Sequence, residues 1–200
     1  MLDDTTRNQL TARASNYRAR IAAIRADTGL SESGKRAALA TAYEEARDYA
    51  SRVRGKAEES TASRKRQLEK SLFGLSPAAS DSSVVALRDA QDRVAGISNP
   101  EQLGELMERA LIAGDRTLLL AGFSHSYQQS RNPLGGSKWR PLLDEYIHEF
   151  PSTAEPLAEL EELGGSAGLT AQLGEQIATG IPKPPELDRP MVSDNAESTA

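Results

Sequence analysis

Two histidines, His125 and His148, are the side chains of this sequence best suited to acid–base or metal chemistry. His125 sits in Ser124-His125-Ser126, the types a nucleophile and base would need. Adjacent residues of a helix point about 100° apart, so neither hydroxyl is presented to the imidazole, and no third group is placed to orient it. His148 follows Asp144 by four residues, with Glu145 and Glu149 beside it. An i,i+4 histidine–carboxylate pair can hold a divalent ion only with a third or fourth ligand, and no second histidine-bearing motif supplies one. That segment reads as a solvated acidic helix face. Gly135-Gly136-Ser137-Lys138 has the glycines of a phosphate loop but not its order, since the nucleotide motif places Lys before Ser or Thr after a four-residue spacer. Glu155/Glu159 and Glu161-Glu162 are paired carboxylates with no apolar or cationic surroundings to separate their pKa values. The sequence therefore assigns no catalytic residue, no metal ligand set and no cofactor.

A basic strip remains: Arg52, Arg54, Lys56, Arg64, Lys65, Arg66 and Lys70. Cations along a helix can neutralise phosphates without reading bases. Glu58, Glu59 and Glu69 are interleaved with them, which makes i,i+4 pairs on an exposed helix, and no aromatic residue stands among them to stack a base. A solvated face is the plain reading, a protein partner with an acidic surface the next, and nucleic acid the third. The acidic C-terminal part of another copy is one such partner.

The elements that carry these residues are helices. Leu10, Ala14, Tyr17, Ile21 and Ile24 recur in steps of four and three, an apolar seam at heptad spacing, behind cap residues Asp3, Asp4 and Thr5. Thr28-Gly29 ends that helix, and Ser31 caps a second, expected over about 32–72, with a seam of Leu39, Tyr43, Ala46, Ala50, Val53 and Ala57. The short turn makes the two antiparallel, and the longer second helix must extend beyond the first, into solvent or against another copy. Small polar residues over 76–82 form a linker. Helices are expected at about 83–96, 100–113, 115–130, 138–150, 154–163 and 169–179, with Asn99-Pro100 and Gly114-Asp115 as punctuation. No stretch alternates apolar and polar with β-branched enrichment, so no strand is expected. The expected fold is all-α: a long helical hairpin over 1–75, a small helical bundle over 83–180, and a disordered tail over 181–200.

Composition narrows the classes. Only 38% of residues are apolar, many of them Ala, and 4% are aromatic, which favours thin helical layers over a large enzyme core. Zero Cys excludes disulfides and thiolate metal sites and fits a reducing compartment. Through Leu72 there are 15 Lys+Arg against 10 Asp+Glu, and beyond it 9 against 19, which together make the net charge of −5. That asymmetry bears on partners and association rates, and disfavours a uniformly basic nucleic-acid binder. The start, Met1-Leu2-Asp3-Asp4, lacks the apolar run of a secretory leader, and no segment approaches the ~20 apolar residues of a membrane span, so a cytoplasmic protein without membrane contact is expected.

The junction Ile21-Ala22-Ala23-Ile24-Arg25-Ala26-Asp27-Thr28-Gly29-Leu30-Ser31-Glu32-Ser33-Gly34-Lys35-Arg36 resembles the helix–turn–helix junction of small helical proteins from tailed-bacteriophage structural modules, some regarded as scaffolding or minor virion proteins. It covers about sixteen residues of the first helical pair. The resemblance implies a non-enzymatic assembly role through helix-mediated contacts, with a capsid-type protein or a second copy as partner, in the host cytoplasm or the virion. The alternative is a helical nucleic-acid-binding module using residues 52–70.

Overall fold

The Asp3 side chain accepts the Thr6 N–H at 2.9 Å, satisfying a donor the first helical turn leaves free, and α1 (Asp4–Ala26) starts there. Gly29 N–H donates to Asp27 Oδ1 in the turn, and Ser31 Oγ accepts the Gly34 N–H at the start of α2 (Glu32–Phe73). The 42 residues of α2 rise about 63 Å at 1.5 Å each. In this computed structural model, which describes residues 2–165 and 169–188, the remaining helices are α3 (Asp81–Ala95), α4 (Pro100–Ala113), α5 (Arg116–Ser130), α6 (Arg140–Glu149), α7 (Ala154–Gly164) and α8 (Leu169–Thr179). No strand occurs among the described residues. The helix expected over 138–150 is preceded by a 3₁₀ turn, Gly136–Trp139, and α6 proper begins with Pro141 in its first turn, where the missing N–H has no intrahelical partner to lose.

The chain packs as two compact units, residues 1–61 with 166–200 and residues 62–165, so the division falls inside α2, with residues 32–61 in one unit and 62–73 in the other. In the first, α1 and α2 run antiparallel. The Arg13 guanidinium lies over the Tyr49 ring and Arg20 pairs with Glu45, so positions climb along one helix as they fall along the other. Between them Tyr17 and Ile21 meet Leu39, Ala42 and Ala46. Ala42, which the expected seam omitted, is buried, and its neighbour Tyr43 is half-buried at the edge of the cluster. A methyl group at position 42 lets the two backbones approach; the ring at 43 covers the edge instead. Helix α8 packs against α1. In the first part of the expected tail, residues 181–188, Ile181 and Leu187 pack on the same cluster and Pro184 is buried. Residues 189–200 of that expected tail lie outside the described residues.

In the second unit α5 is central, packing against α3, α4 and α6. One cluster joins Ala90 and Val94 to Leu103, Met107, Ala110, Leu118 and Trp139. Another joins Leu68 and Leu72 to Phe123, Tyr127, Leu143, Leu157 and Leu160. The far end of α2, expected in solvent or against another copy, is therefore a wall of this core: Leu68 and Leu72, one turn apart, bury together. Stacked Phe123 and Tyr146, with ring centroids 4.1 Å apart, close it.

Candidate functional site

His125 is buried, with Nε2 2.9 Å from the Ile97 carbonyl oxygen and its ring edge-on to Trp139. It ties the α3–α4 loop to α5. Ser126 Oγ is buried and has no hydrogen-bond partner among the described residues, so the hydroxyl is not engaged by the neighbouring imidazole. Asp144, the carboxylate paired in sequence with His148, accepts from Arg140 Nε at 3.3 Å, and Arg140 Nη1 also donates to Glu161. Among the described residues no three His, Asp or Glu side chains gather as a metal site. The phosphate-loop-like glycines have a local cause. Gly135 has φ +89°, the left-handed region, and a Cβ on Gly136 would stand 2.3 Å from the Ser130 carbonyl oxygen. They allow the chain after α5 to fold back onto its last turn.

The seven basic residues divide between the two units and do different things. Arg54 is half-buried and donates from Nη2 to the Thr179 carbonyl oxygen at 3.0 Å and to its Oγ1 at 3.1 Å. Arg52 and Lys56, on the same turns of α2, are exposed. In the second unit Arg64 grips Glu159 through two parallel bonds, Nε–Oε1 at 2.6 Å and Nη2–Oε2 at 2.5 Å. That geometry raises the Arg64 pKa and lowers the Glu159 pKa, the hydrogen bond being the main cause in both. Lys65 Nζ is 4.0 Å from Glu69, and Arg66 Nε turns back to the Ala62 carbonyl. Lys70 lines an open groove of about 660 Å³ with Phe73, Tyr127 and Arg131. Arg131 donates to the Tyr127 hydroxyl, and its guanidinium lies over that ring.

A second constellation, which the sequence pattern alone did not single out, lies in the first unit. Arginines of α1 and α2 hold the segment 169–188. Arg18 Nη2 donates to the Ile177 carbonyl and Arg54 to that of Thr179, so two cations sit at the C-terminal end of α8, where the free carbonyls concentrate negative partial charge. Arg25 forks onto Glu186 at 2.7 and 3.0 Å, and Arg7 lies 3.5 Å from Glu175. The buried Tyr17 donates its hydroxyl hydrogen to the Pro182 carbonyl at 2.7 Å, and burial raises its pKa. A groove of about 850 Å³ opens beside these contacts, lined by Arg18, Arg54, Glu58, Glu175, Thr179 and Pro182. The signal was present: Arg7, Arg18 and Arg25 are spaced by eleven and seven residues, which returns each to nearly the same face of α1.

The fold and these contacts define an all-α protein in which Arg20, Arg54, Arg64 and Arg140 each tie one helix to another. No family model, curated protein or solved structure matches the chain. No helix among the described residues is long and apolar enough to cross a membrane.

Proposed function

We propose that this chain is a non-enzymatic assembly or adaptor protein acting through helix-mediated protein–protein contacts. The observation that carries the choice over a nucleic-acid-binding module is the fate of the basic strip. Arg54 and Arg64 are engaged by Thr179 and Glu159, and Lys65 faces Glu69. That leaves two i,i+4 pairs, Arg52 with Lys56 and Arg66 with Lys70, on different stretches of α2 with Glu58, Glu59 and Glu69 interleaved. Phosphate binding depends on several cations released to solvent together, and this strip has too few in one place.

Exposed apolar side chains support the same reading. Leu173 and Ile177, one turn apart on α8, are 50% and 74% exposed, and Ile112 at the end of α4 is 82% exposed. Such residues at helical spacing fit a partner helix or groove. The resemblance of the 21–36 junction makes a capsid-type protein, in the host cytoplasm or the virion, the heterologous partner class to try first.

Co-purification with a candidate capsid-type protein, compared between the wild-type chain and a Leu173→Ser/Ile177→Ser variant, tests the reading. Capture by the wild type that the variant loses supports it. A mobility shift of short duplex or single-stranded DNA at low salt, abolished by Arg52→Ala/Lys56→Ala/Arg66→Ala/Lys70→Ala, would overturn it in favour of nucleic acid.

A further inference from the structure

We infer that the segment 169–188 is an exchangeable arm and that its docking surface on α1 and α2 accepts the same segment from a second copy of this chain. The inference deepens the assembly reading, because it names the surface by which copies would join.

Much of the arm's polar hold comes from Arg7, Arg18, Arg25 and Arg54, long side chains that reach out from α1 and α2, and the Tyr17 hydroxyl adds one buried contact to the Pro182 carbonyl. The Arg25–Glu186 pair is half in solvent, at 48% and 36% side-chain exposure. Ion pairs so placed are screened by salt and hold little against the entropy of a loosened chain. Among the described side chains of the arm, Ile181 and Leu187 are only partly buried against Tyr17, Ile21, Leu39, Ala42 and Ala46, Pro184 is buried, and Leu173 and Ile177 of α8 stay exposed. An element with few buried apolar contacts opens at a free energy below that of global unfolding.

Opening uncovers a surface whose complement is already defined. The acceptors that α1 and α2 select are the Ile177, Thr179 and Pro182 carbonyls and the Glu186 carboxylate, all within one stretch of ten residues. Any second copy carries that stretch. Exchange therefore replaces each contact by an identical one, and the balance between closed monomer and linked copies rests on concentration and on the entropy of linking, not on new chemistry. If the exchange is not reciprocal, an open surface remains at one end and a free arm at the other, so chains of copies can form as well as closed dimers.

The Arg25–Glu186 fork supplies the test, because reversing its charges separates contacts within a chain from contacts between chains. Arg25→Glu sets two carboxylates against each other within its own chain, and Glu186→Arg sets two guanidinium groups against each other within its own. In a mixture both contacts between chains become attractive. The carboxylate introduced by Arg25→Glu meets the guanidinium introduced by Glu186→Arg, and the unchanged Arg25 of the second variant meets the unchanged Glu186 of the first. Light scattering coupled to size exclusion should find each variant alone near the 21.5 kDa of one chain. The equimolar mixture should shift toward twice that mass, and the Arg25→Glu/Glu186→Arg double variant should behave as the wild type. Both positions are at the surface, and unchanged helical circular dichroism would establish that each variant folds. As a second readout, Arg25→Cys and Glu186→Cys variants of this otherwise cysteine-free chain, mixed with a bismaleimide, should yield a mixed cross-linked dimer above that given by Arg25→Cys with Asp81→Cys. A charge-swap mixture no heavier than its components, with cross-linking at the control level, overturns the exchange. That result would leave binding of a capsid-type partner, tested separately above, where it stood.

Discussion

Arg64 of α2 and Glu159 of α7 meet side by side, each guanidinium nitrogen opposite its own carboxylate oxygen, at 2.6 and 2.5 Å. Ninety-five positions separate them in sequence. The pair fixes α7 against the end of α2, beside the core that Leu68, Leu157 and Leu160 share. Because both side chains stand partly in solvent, the pair should contribute modestly and lose strength with salt. A double-mutant cycle of Arg64→Ala and Glu159→Ala, followed by urea unfolding, should show favourable coupling at low salt that shrinks as salt is raised. Coupling indifferent to salt would mean that the two side chains act by packing.

The pH dependence of that pair has a definite sign. Glu159 has its folded-state pKa lowered by the Arg64 hydrogen bond, from an ordinary value of 4.5. A depressed carboxyl stabilises the fold above its unfolded pKa, and the contribution is lost as pH falls through the folded value. The same holds for Asp115, whose carboxylate accepts the Leu118 N–H and the Thr117 hydroxyl at the start of α5 and whose pKa lies below 3.8. Asp115→Ala should therefore destabilise by about 0.5–2 kcal/mol at neutral pH, the usual effect of losing an N-cap. The difference from wild type should narrow as pH is lowered below about 3.8, because protonation weakens the wild-type cap. Thermal unfolding of both chains from pH 7 to pH 3 measures it, and a constant gap would refute the assignment.

Two glycines should respond oppositely to the same substitution. A Cβ on Gly136 would meet the Ser130 carbonyl oxygen at 2.3 Å, and backbone cannot swing aside as a side chain can. Gly136→Ala should destabilise by about 1–3 kcal/mol or more, as overpacking does. Gly55 lies inside α2, where among the described residues nothing stands within 4 Å of the same position. Gly55→Ala should stabilise by about 0.5–1 kcal/mol through helix propensity alone. Denaturant midpoints for both variants decide it; a loss at Gly55 would mean that α2 needs a soft point there.

Local signals explain why so much of the helix order was legible. Asp3, Asn99 and Asp115 each accept a backbone N–H from the turn they start, and Pro100 opens α4, so these starts follow from residues adjacent in sequence. Ser80, expected within a linker over 76–82, caps α3 instead, which begins at Asp81 and not at 83. The pairing of α1 with α2 was legible from two apolar seams joined by a short turn. The role of α8 and of the segment that follows it was not, because what holds them lies 125 to 165 positions away, as in Arg54 with Thr179 and Tyr17 with Pro182. Helical period gives the face on which an arginine stands but not the carbonyl it will meet. The basic strip shows the same limit: charge marked Arg54 and Arg64 as candidates for an outside partner, and the fold turns both toward its own chain.

The two cores offer the last prediction. Leu39 is buried between α1 and α2 with Tyr17 and Ile21, whereas Leu160 is buried with Phe123, Leu143 and Leu157 in the other unit. Leucine-to-alanine changes at such sites remove transfer free energy and leave a cavity, about 2–5 kcal/mol together. Each unit has its own apolar cluster, so the loss should be felt first by the unit that carries it. Hydrogen exchange should show Leu39→Ala loosening amides of residues 4–61 and 173–179 before those of α3 to α7, and Leu160→Ala doing the reverse. Equal loosening of both units by either variant would mean that α2, one continuous helix shared by the two, makes them unfold as a single cooperative body.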